Sequence, residues 1–79
     1  MKYKIAVIAR NRREFRQWCY IKYKSIKEAE EDCTYVRGIQ DIYNRFFRDV
    51  ICVGNYECIN NWYGLFKEAE SRVVVFKEE

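Results

Sequence analysis

The sequence predicts an α/β fold built on a parallel sheet. Two short apolar runs, residues 3–9 and 49–53, lack clean alternation and fit strands buried on both faces, as parallel sheets require. Between and after them lie stretches whose apolar residues recur at helical spacing. With 79 residues the chain holds one domain, residues 1–79.

The elements follow in order. Tyr3 to Ala9 is the first strand. Asn11 is a good N-cap, and Glu14 stands three residues later as in a capping box. Phe15, Trp18, Cys19 and Lys22 or Tyr23 then form one stripe of a helix over residues 12–23. Ser25 and Glu28 repeat the capping box and open a short charged helix to Asp32. Cys33 to Arg37 is the second strand, closed by Gly38. A rival reading makes residues 20–24 the strand and 26–45 one long helix. It is disfavoured because Thr34, Tyr35, Val36 and Gly38 are weak helix formers. Ile39 to Phe46 reads as a short helix, and Asp49 to Val53, ended by Gly54-Asn55, as the strongest strand. Asn60 and Asn61 offer caps for a last helix bearing Trp62, Leu65, Phe66 and Ala69 on one face. Val73 to Phe76 is a final strand. The order β-α-β-α-β-α-β implies a parallel sheet of order 2-1-3-4, a minimal Rossmann-like or flavodoxin-like sandwich.

Composition narrows the function. A domain this short buries roughly 60% of its unfolded surface, so it needs extra stabilisation. Cys19, Cys33, Cys52 and Cys58 include no C-x-x-C pair and the chain has no histidine, so zinc is not expected. Cys19 and Cys52 read as buried small hydrophobes. No secretory or membrane-spanning segment is read, and reduced thiols suit the cytosol. Self-association into a homo-oligomer is then the expected source of stability. Aromatic residues reach 18%, more than so small a core can hide, which points to an interface or stacking site. The net charge of +3 is too mild to demand nucleic acid. There is no proline, linker or visible repeat.

In open parallel sheets ligands bind beyond the carboxyl ends of the strands, where strand order reverses. Here that is between the first and third strands. The topology delivers Arg10, Asn11, Arg12 and Arg13 after the first strand and Gly54, Asn55 and Tyr56 after the third, flanked by Tyr35 and Arg37. Arg12 and Arg13 sit in a helical first turn, where the dipole opposes cations unless an anion is bound. Gly54 would let a ligand approach the backbone. Tyr35 and Tyr56 could stack on a base, and Asn11 and Asn55 could read its edges. Each has an ordinary reading too: solvated arginines, a Gly-Asn turn, a tyrosine capping the core. No G-x-G-x-x-G or P-loop motif is present. Without histidine, and with only the rim carboxylates Glu14 and Glu57 as bases, catalysis is not expected.

Three segments together resemble small phage-encoded α/β proteins: Val7 to Phe15 with Trp18, Tyr35 to Gly38, and Val50 to Tyr56. The first matches a strand running into an A-x-N-R turn and helix, the last a strand ending in V-G-x-[YW]. The likeness spans residues 3–72. It implies a phage accessory protein acting by binding, either occupying a host protein or sequestering a nucleotide signal of host defence. The leading expectation is a homo-oligomer that binds a phosphate-bearing nucleotide and needs no cofactor. Arg10, Arg12, Arg13 and Arg37 would hold phosphate; Asn11, Asn55, Tyr35 and Tyr56 would hold base or sugar. A protein inhibitor of a host enzyme would instead use Phe47, Trp62 and Tyr63 as anchors. Weak RNA binding through the basic first helix is a third expectation.

Overall fold

In a computed structural model describing residues 3–74, three parallel strands carry helices on both faces. The elements are β1 (Lys4–Ala9), α1 (Arg12–Lys22), α2 (Ile26–Asp32), β2 (Cys33–Val36), a 3₁₀ turn (Ile39–Asp41), β3 (Phe47–Val53), a second 3₁₀ turn (Tyr56–Cys58) and α3 (Trp62–Glu70). The sheet order is β2-β1-β3, every pair parallel. The second strand is therefore 33–36, and residues 20–24 are not a strand. The expected fourth strand falls partly outside the described residues. Within them Val73 makes a single parallel bridge to Phe47, and the Val74 N–H donates to the Phe47 carbonyl at 2.8 Å.

Central β1 has no polar face because it is covered twice. Ala6 and Ile8 pack with Val36, Ile42, Phe47, Leu65 and Ala69, the α3 side. Val7 and Ala9 pack with Phe15, Cys19, Ala29, Cys33 and Val53, the α1 and α2 side. Cys19 is buried as expected, whereas Cys52 is half-buried.

Both long-range connections follow from local chemistry. The Asn11 side chain accepts the Glu14 N–H at 2.9 Å and starts α1, and Ser25 does the same for Glu28 at 3.2 Å. The expected helix at 39–46 is only the 3₁₀ turn. Asp41 Oδ2 accepts the N–H groups of Arg37 and Gly38, which tightens the turn, and Asn44 at φ 60° cannot continue a helix. Since β2 and β3 flank β1, residues 37–46 must cross the sheet. Fully buried Ile42 shows that they cross on the α3 side. About ten residues at about 3.3 Å each can span that return without a helix.

β3 starts two residues before the expected Asp49 because it carries a bulge. Its register with β1 steps from Lys4–Phe47 to Ile5–Asp49, leaving Arg48 as the extra residue. The bulge turns Phe47 into the core. It also lets Arg48 donate to the Tyr3 carbonyl at 2.9 Å and pair with Asp32 at 2.7 Å. Asp32 also accepts the Tyr23 hydroxyl at 2.5 Å, so α1, α2 and β3 are tied at the amino edge. Burial first, then the Asp32 bond, pushes the Tyr23 hydroxyl far above its ordinary pKa.

Candidate functional site

At the carboxyl edge, the β1–α1 turn and the turn after β2 enclose a cleft of about 490 Å³. Arg10, Asn11, Arg12, Tyr35, Arg37, Gln40 and Asp41 line it. Five of the nine expected site residues are thus brought together, but beside β2 rather than between β1 and β3. Gln40 and Asp41 were not expected there. Their arrival depends on the 3₁₀ turn that the sequence disguises as a helix.

The cleft is electropositive. Among the described residues, Arg12 and Arg37 make no ion pair. The Arg12 guanidinium lies over the Tyr35 ring, 5.5 Å from its centroid, and Phe15 stacks on the same ring at 5.2 Å. Tyr35 is therefore engaged already, and burial raises its hydroxyl pKa. The ring contact pre-orients the Arg12 guanidinium at the cleft wall, and a planar guanidinium fork has the geometry that suits phosphate. Asp41, the one carboxylate lining the cleft among the described residues, accepts from the two backbone N–H groups of its own turn.

The remaining residues are placed elsewhere. Glu14 does not close the expected capping box. One of its oxygens takes Arg10 Nε at 2.6 Å and the other the Asn55 N–H at 2.7 Å, strapping the β1–α1 turn to the turn after β3. That N–H and then Arg10 hold the Glu14 carboxyl below its ordinary pKa, against partial desolvation, and the bond to Glu14 raises Arg10. Gly54 serves this strap. Its φ is 61°, and a Cβ there would lie 2.5 Å from Glu14 Oε1, so the space once read as room for a ligand holds Glu14. Tyr56 packs edge-on against Trp62 at 5.0 Å and against the core. Arg13 lies on the outer face of α1, in another hollow. Of the expected interface anchors, Phe47 is buried and unavailable, while Tyr63 is exposed.

No helix among the described residues is long and apolar enough to cross a membrane, and none of their carboxylates and thiols cluster as a metal site. No protein family matches the chain, and no curated protein or solved structure matches it.

Proposed function

We propose that the cleft beside β2 binds a phosphate-bearing nucleotide ligand and that the protein sequesters it without turnover. The observation that carries this reading is the convergence of Arg10, Arg12 and Arg37 on one hollow, two of them without an ion pair among the described residues. Its volume is on the scale of small-ligand sites. Guanidinium forks suit phosphate, and the amides of Asn11 and Gln40 suit the polar edge of a base or sugar. Absence of turnover is supported by the lack of histidine and by the engagement of the nearby carboxylates Asp41 and Glu14 with backbone N–H groups.

The wider setting belongs to the same proposal. The protein acts as a phage-type accessory factor in the host cytosol, withholding a nucleotide signal of host defence. Copies associate, and the sheet is completed as 2-1-3-4 by a last strand beside β3, which the Phe47–Val73 bridge supports.

Isothermal titration with mono-, di- and cyclic nucleotides tests it. The wild type binds at least one of them, and mass spectrometry recovers it unchanged. Arg12→Ala with Arg37→Ala abolishes binding and leaves the melting temperature unchanged or slightly higher. Equal affinity in the double variant, or a recovered product, refutes the reading. Exposed Tyr63 favours one alternative, inhibition of a host protein. It requires a single co-purifying partner that Tyr63→Ala loses.

A further inference from the structure

We propose that the ligand of the cleft is a short single-stranded oligonucleotide whose backbone leaves the cleft and runs along the outer face of α1; this rests on the phosphate-binding reading above. Arg12 lines three hollows at once. Beyond the cleft it lines a second one, of about 420 Å³, with Arg13, Arg16, Gln17 and Tyr20. Among the described residues, no carboxylate lines that second hollow. Glu14, the acidic residue of this segment, is held by Arg10 and the Asn55 backbone.

Among the described residues, Arg12, Arg13, Arg16 and Arg37 all lack an ion pair. Arg12 and Arg13 occupy the first turn of α1, where the dipole opposes them, and Arg16, one turn on, repels Arg12 at i, i+4. One phosphate in the cleft would leave Arg13 and Arg16 uncompensated. A phosphodiester chain compensates them in turn, because Arg16 stands about 6 Å along the axis from Arg12, on the scale of one extended nucleotide step. Tyr20, 64% exposed at the far end, offers a ring face to an unpaired base. A smaller hollow of about 170 Å³ also shares Arg12 and leads toward Arg45, but Glu30 lines it, which disfavours a polyanion.

The test titrates adenosine monophosphate and the deoxyadenosine di- and tetranucleotides into the full chain, at low and moderate salt. The wild type should prefer the tetranucleotide to the monophosphate by about tenfold or more. Its logarithmic salt slope should be about −2, as for three neutralised phosphates on a single strand. Arg13→Ala with Arg16→Ala, both exposed and so harmless to folding, should reduce tetranucleotide affinity to the monophosphate level. That variant should leave monophosphate affinity as it was, and Arg45→Ala should change neither. The path along α1 is overturned if monophosphate and tetranucleotide bind the wild type equally, if the Arg13/Arg16 variant keeps the tetranucleotide, or if Arg45→Ala weakens it. In each case monophosphate binding that depends on Arg12 and Arg37 still upholds the cleft. Failure of all three probes to bind the wild type overturns the path along α1, and the cleft reading falls with it when the mono-, di- and cyclic nucleotide panel also fails to bind.

Discussion

Replacing Gly54 by alanine perturbs the carboxyl edge through two effects that can be separated. The residue has φ 61°, and an L-residue in that region costs about 1–2 kcal/mol relative to glycine. The added methyl would also lie 2.5 Å from Glu14 Oε1, 3.2 Å from its Cδ and 3.3 Å from its Cβ. Glu14 cannot give way freely, since its carboxylate is held by Arg10 and by the Asn55 N–H. The conformational part alone lowers the melting temperature by about 4–16 °C, at about 4–8 °C per kcal/mol for a domain of this size. The clash adds to this in the wild-type background only. Thermal unfolding followed by circular dichroism of wild type, Gly54→Ala, Glu14→Ala and the double variant forms the cycle. Gly54→Ala should cost less once Glu14 is truncated. An equal cost in both backgrounds refutes the placement of Glu14 beneath Gly54, and no cost in either refutes the left-handed turn.

The strap also gives acid sensitivity. A carboxyl whose folded pKa is depressed contributes stability above its unfolded pKa and loses it as pH falls through the folded value. The melting temperature of wild type should therefore exceed that of Glu14→Gln most near neutrality, with the gap closing on acidification below the ordinary carboxylate range; a gap independent of pH contradicts the strap. Thiol reactivity should follow burial. Cys58 is exposed, whereas burial pushes Cys19 up to about 11 and raises Cys33, so a disulfide reagent should label Cys58 promptly and the other two only on unfolding. Early labelling of Cys19 would contradict the packing of α1. Phe47→Ala removes the largest fully buried side chain among the described residues and should cost about 3–5 kcal/mol, out of a total near 4–12 kcal/mol for this length. The urea midpoint should collapse, and a shift no larger than that of Tyr63→Ala would refute Phe47 as a core residue.

Most of the fold was legible because it rests on local signals. The apolar run of β1, the stripe Phe15–Cys19, and the Asn11 and Ser25 caps all lie within a few residues of their partners. What was misread depends on distant contacts. Ile39 and Ile42 are spaced as on a helix, but Ile42 is drawn into the core by the crossover and Asn44 turns left-handed. The bulge at Arg48 breaks the alternation that would have marked Phe47 as the start of β3. Asn61 was expected to cap α3 with its side chain, yet it takes φ 62° and makes no such bond.

The site divides in the same way. Arg10, Asn11, Arg12 and Arg37 were placed by their positions after β1 and β2, and Tyr35 by its place near the end of β2, all of which the chain order supplies. Gly54, Asn55 and Tyr56 were assigned to the ligand by the same rule, but Glu14, 41 residues from Asn55 in sequence, takes their edge. Nothing local to Glu14 distinguishes a capping-box glutamate from a cross-loop strap. Gln40 and Asp41 became visible only once residues 39–41 were known to be a 3₁₀ turn.

Native mass spectrometry of the purified protein, with and without added nucleotides, tests the central claim most directly. The cleft reading predicts a nucleotide adduct per chain or per pair of chains that disappears in the Arg12→Ala, Arg37→Ala variant while the assembly itself persists. Bare protein across the whole nucleotide panel, or an adduct that the double variant retains, would contradict it.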